Sequence, residues 1–134
     1  GAEGIALIGT SGTKITDYTF SQIKMASPAW INSDNAKDNI GLIISHEIGH
    51  NLTLEHHGTT SSEYYGGHSG GGVPSWGPIM GNPFNKNVTQ WSAGDYLNAN
   101  NTSQDDLDTL NFHFGSIDDD YGDLLEFLGI EVSK

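Results

Sequence analysis

Between Gly58 and Gly81, eight of 24 residues are glycine, and Pro74 and Pro78 interrupt the stretch further. Glycine loses more backbone freedom on ordering than any other residue, and proline lacks the N–H that a helix or ladder needs. No long regular element survives that composition, so helices and strands have to lie on either side of it. The run Tyr64-Tyr65-Gly66-Gly67-His68-Ser69-Gly70-Gly71-Gly72 is not a phosphate loop, because neither a Lys-Ser/Thr pair nor a helix start follows it. His68 reads as a solvated loop histidine, with a place in a cleft or on a second ion as the alternative.

The strongest regular pattern comes immediately before this stretch. Ile40, Ile43, Ile44, Ile48 and Leu52 recur at helical spacing and predict a helix over 36–52 with one apolar stripe. Asn32-Ser33-Asp34-Asn35 precedes it as a cluster of N-cap residues, and Asn35 with Asp38 has capping-box spacing. Gly41 and Gly49 cost the helix about 1 kcal/mol each relative to Ala, and Gly49 suggests a neighbour that approaches closely. Elsewhere residues 4–9 read as a strand, residues 19–26 as a strand or an irregular connection, and helices are expected near 92–98 and 103–111. His113, between Phe112 and Phe114, reads as a packed structural histidine, and Trp76 and Trp91 as core or wall residues.

Composition narrows the function classes. A chain of 134 residues has room for one domain. Five basic residues against 17 acidic ones give a net charge of −12, which argues against nucleic acid as a partner. No apolar run approaches the length of a membrane span. Cysteine is absent, which removes disulfides, thiolate ligands and a thiol nucleophile. Asp118-Asp119-Asp120-Tyr121-Gly122-Asp123 reads as a solvated acidic segment, with Ca²⁺ binding as a weaker alternative; Gly129 stands where an EF-hand loop needs Glu. Nothing in the sequence reports an oligomeric state.

The stretch that carries chemistry is His46-Glu47-Ile48-Gly49-His50, continued by Asn51-Leu52-Thr53-Leu54-Glu55-His56-His57. His46 and His50 are four apart on the predicted helix, so both imidazoles leave one face. Two imidazoles so placed can share one Zn²⁺ at about 2.0–2.1 Å each. Glu47 can reach a water on such a metal without ligating it, which is the position of a general base. A catalytic zinc needs a third protein ligand, and His56 is the candidate. A straight helix would carry His56 onto another face, so the helix must stop near Thr53 and the chain must turn back. His57 is the alternative third ligand, or a neighbour that supports the site.

This stretch resembles the metzincin zinc-peptidase signature H-E-x-x-H-x-x-G-x-x-H, and looks most like the reprolysin (adamalysin) branch in bacterial secreted peptidases. Gly77-Pro78-Ile79-Met80-Gly81 is similar to the family's Met-turn, with Met80 placed 24 residues after His56. Residues 88–92 and 100–107 resemble the family's segments C-terminal to that turn. The resemblance covers roughly residues 4–110 and is most specific at the zinc motif. It implies an α+β zincin catalytic domain over 1–115, with a central zinc helix, Gly-rich loop, Met-turn and C-terminal helix. Residues 116–134 would be an acidic C-terminal segment or the start of a linker. Only 45 residues precede His46, so the resemblance predicts a domain lacking its N-terminal strands.

The implied function is a secreted, zinc-dependent endopeptidase acting on peptide or protein substrates. Zn²⁺ would sit on His46, His50 and His56, Glu47 would be the general base, and Met80 would support the metal from below. A zinc-binding but inactive domain is one alternative; a non-catalytic module of a secreted protein is another. Two residues depart from the pattern. Thr53 stands where the family has a left-handed Gly, so either the turn is built differently or Thr53 is strained. His57 stands where reprolysins carry Asp. Tyr64, Tyr65 and Tyr96 could each supply a transition-state hydrogen bond, and the sequence does not choose among them.

Overall fold

A computed structural model of the chain describes residues 4–6, 29–32, 37–69 and 74–115. The apolar run at 40–52 forms its helix: a tight 3₁₀ turn, Lys37–Asn39, leads into α1, Ile40–Asn51. The expected single apolar stripe splits in two. Ile43 is buried, together with Glu47, Gly49 and His50, whereas Ile40, Ile44 and Ile48 are 41%, 40% and 45% exposed. The inward face of α1 is therefore built around the polar motif rather than around its isoleucines.

Two short strands, β1 (Gly4–Ala6) and β2 (Ala29–Ile31), pair antiparallel with Ile5 opposite Trp30, and both lie against α1. On the other side of the motif, β3 (Trp76–Pro78) and β4 (Val88–Gln90) pair in parallel, with Gly77 opposite Thr89. Nine residues, 79–87, join them, fewer than the dozen or so that a parallel connection usually takes. Close packing allows it: a Cβ on Gly77 would lie 2.6 Å from Pro83 Cβ, so the connection folds directly onto β3. It begins with a turn in which Gly81 N–H donates to Pro78 O at 2.9 Å.

The second helix, α2 (Asp106–Phe114), starts three residues later than the 103–111 expected, because Asp105 acts as its cap. Its carboxylate Oδ1 accepts from Leu107 N–H at 2.9 Å and Asp108 N–H at 3.3 Å. Gly115, at φ 77°, ends the helix. The helix expected at 92–98 does not form. Gly94 (φ 76°) and Asn98 (φ 60°) take left-handed conformations that break it.

Together these elements make an α+β arrangement of two helices and two small sheets among the described residues. No helix among them is long and apolar enough to cross a membrane. Most of the N-cap cluster, the 19–26 segment and the acidic run with its Ca²⁺ alternative lie outside the described residues.

Candidate metal centre

One helical turn separates His46 from His50 on α1, and their rings meet edge to face with centroids 4.8 Å apart. Directly after His50 the helix closes in a Schellman turn. Leu54 N–H donates to Gly49 O and Thr53 N–H to His50 O, both at 3.0 Å. Thr53 occupies the left-handed position of that turn at φ 76°. The turn is thus the one a glycine would make, and the strained alternative holds. A β-branched residue there costs on the order of 1–3 kcal/mol. The reversal delivers His56 to the other two rings, its centroid 4.7 Å from that of His50 and 5.3 Å from that of His46. One ring nitrogen from each of His46, His50 and His56 lies within 4.8 Å of the other two, close enough to hold a metal ion.

Each ring is fixed from behind. His46 Nδ1 donates to Ile79 O at 2.8 Å, His50 Nδ1 to Leu54 O at 2.8 Å, and His56 Nδ1 to Glu63 Oε1 at 2.9 Å. Carbonyls and carboxylates only accept, so the network places the neutral ring's hydrogen on Nδ1 and leaves Nε2 as a lone pair. The lone pairs converge, with His50 Nε2 and His56 Nε2 at 3.0 Å. Two acceptors facing each other repel, and a cation between them relieves that repulsion. Protonating a ring instead is opposed by burial, which holds His46 down to about 4, against the backbone bond from Ile79, and pushes His56 below its ordinary value. The donor set and its protonation state therefore fit a metal ion.

Glu47 projects from α1 next to the first histidine and is 7% exposed. Burial raises its carboxyl above the usual range, opposed by the nearby His50. His46 and Glu47 line a pocket of about 220 Å³, shared with Leu42, Ile43, Tyr64, Ile79 and Phe84. Of the three tyrosines considered, Tyr64 is the one at this pocket, its ring 4.3 Å from that of His56. Tyr65 and Tyr96 stack on each other at 4.2 Å, and Tyr96 Oη donates to Gly58 O at 2.7 Å.

His57 turns away from the three rings. It is completely buried, and Nε2 donates to Asp106 Oδ1 at 3.0 Å, with Ser92 O at 3.1 Å. Asp106 is also completely buried and takes further bonds from Ser92 N–H at 2.9 Å and Gln104 Nε2 at 2.7 Å. His57 supports the site through its backbone instead, donating N–H to Met80 O at 2.9 Å. Met80 is completely buried, and a Cβ on Gly49 would lie 2.5 Å from its Sδ. That close approach accounts for a glycine inside α1. His68 is exposed and stacks on Trp76, His113 is buried beside Phe112, and neither joins the three-histidine group.

Sequence reasoning missed Glu63 and the residues that hold the segment carrying His56. Gln104 clamps Glu55, accepting from its N–H at 2.9 Å and donating to its O at 3.2 Å. Asn100 Oδ1 accepts from Gly58 N–H at 2.9 Å. The one signal in the sequence was the density of short amide side chains between Asn98 and Gln104, which can stand in for a missing backbone ladder. Compared with known proteins, the chain matches no protein-family model, no curated protein and no solved structure.

Proposed function

We propose that the protein is a secreted zinc-dependent endopeptidase of metzincin type. The observation that carries this reading is the convergence of three imidazoles, each fixed through Nδ1, beside a buried carboxylate at a pocket. Three neutral imidazoles suit zinc and leave one position open, as a catalytic site requires. Two further observations support the reading: Thr53, although not the family's Gly, takes the left-handed conformation expected at that position, and Met80, in the segment similar to the Met-turn, is buried against Gly49.

His46, His50 and His56 would hold the ion. When bound, zinc supplies a Lewis acid that acidifies a water and polarises a carbonyl. Glu47 accepts the proton of the attacking water at its carboxylate and passes it to the leaving amine nitrogen. Its raised proton affinity, a consequence of burial, suits a group that must take a proton and give it up near neutral pH. The apolar walls from Leu42, Ile43, Ile79 and Phe84 seat a side chain of the substrate next to the bond that breaks.

Elemental analysis of the purified protein, followed by peptide hydrolysis with and without chelator, tests the reading. The expected result is one equivalent of zinc and chelator-sensitive cleavage. Glu47→Gln is expected to keep the zinc and lose about 10²–10⁴-fold in kcat. One equivalent of metal without hydrolysis would make this an inactive zinc-binding domain. No stoichiometric metal would leave a non-catalytic module.

A further inference from the structure

We infer that Glu63 is a positioning residue for the metal centre: its carboxylate orients His56, the one ligand outside α1, and so sets how tightly the ion is held. This inference rests on the three histidines forming a metal site, but not on peptidase activity. His46 and His50 ride on a helix, and their rings lean on the backbone carbonyls of Ile79 and Leu54. Those acceptors are independent of side-chain identity. His56 sits beyond the turn at Thr53, on irregular backbone, and its ring leans on a side chain seven residues later. A tight turn brings that side chain back. Thr59 N–H donates to Ser62 O at 2.7 Å, and a Cβ on Gly58 would fall 2.2 Å from Glu63 O. Only a glycine at 58 lets the Glu63 backbone come this close.

Glu63 is 67% exposed, so as a plain surface ion pair with His56 it would contribute little. The metal changes that. A cation on Nε2 makes the Nδ1–H a stronger donor, and the carboxylate in turn makes the imidazole a better ligand. The bond is therefore stronger in the metal-loaded protein than in the metal-free one. Its loss should appear in metal affinity and hardly at all in metal-free stability. Glu55 also acts electrostatically on His56, and no hydrogen bond joins its side chain to that ring among the described residues, so it serves as the charge control.

The test is zinc affinity by chelator competition, with the metal-free melting temperature measured in parallel. Glu63→Ala is expected to weaken zinc about 10-fold, with Glu63→Gln, which keeps a neutral acceptor, falling between it and the parent. Glu55→Ala is expected to stay within about twofold. Equal weakening by Glu63→Ala and Glu55→Ala would reduce the effect to general charge and overturn the inference. A parent protein without stoichiometric zinc would overturn it together with the metal-site reading. Weakened zinc binding in a protein that cleaves no peptide would uphold Glu63 in this role while the peptidase reading falls.

Discussion

The helix that carries His46 and His50 and the strap that carries His56 do the same job by opposite means. On α1 the backbone satisfies itself, and its two histidine rings lean on main-chain carbonyls. The strap at 54–58 has no ladder. His57 bonds to main chain, donating N–H to Met80 O and accepting from Tyr65 N–H, and the rest of the strap's backbone is held largely by the side chains of Gln104, Asn100 and Tyr96, and by Asn101 Nδ2 donating to His56 O at 3.4 Å. Regular structure spreads its support over many equivalent bonds. The strap draws much of its support from a few side chains, so single substitutions should reach it more easily than they reach α1.

Three measurements probe that contrast. The largest effect is expected at Asp106, which joins the strap to α2. Asp106→Ala would remove one partner of a buried pair, strand Ser92 N–H and leave His57 Nε2–H with Ser92 O alone in a dry interior, at a cost of about 3–5 kcal/mol in denaturant unfolding. A loss below about 1 kcal/mol would show that the strap does not depend on this bond. Acid comes next, and it acts on α1. Burial holds His46 down to about 4 in the fold, against an ordinary 6.5, so between these values the unfolded chain binds more protons. Metal-free protein should therefore gain stability as pH rises from about 4 to about 6.5 and level off above that. Urea unfolding in the presence of chelator checks the sign, and a flat profile would contradict it. The smallest effect is at the junction of the two regions. Thr53→Gly relieves a left-handed β-branched residue and is expected to stabilise by about 1 kcal/mol, read from thermal melts.

What the sequence made legible is what local spacing decides. The placement of His46, His50 and Glu47 follows from helical periodicity, and the need for a reversal near Thr53, if His56 is to join the pair, follows from helix geometry alone. The strands β3 and β4 were hidden because three-residue strands leave no periodicity, and their pairing depends on Pro83 packing against Gly77. The expected helix at 92–98 failed for a related reason: its polar residues have partners distant in sequence, as Tyr96 has in Gly58. Glu63 was invisible because an exposed acid in a Gly-rich loop reads as solvated. The apolar spacing of Ile40, Ile44 and Ile48 was legible, but it misassigned burial, since the inward face of α1 belongs to Ile43, Glu47 and His50.

The clamps on the strap also impose an order of events on the growing chain. Winding α1 and its closing turn sets the His50 ring against Leu54 O, and the His46 ring follows when Ile79 arrives, 33 residues on. The segment that carries His56 is held by residues 42 to 49 positions further along, Asn100 for Gly58, Gln104 for Glu55 and Asp106 for His57. Each is a long loop closure, slow compared with helix formation. During synthesis both helical histidines are therefore in place before His56 is, and the three-histidine group waits on residues 100–106.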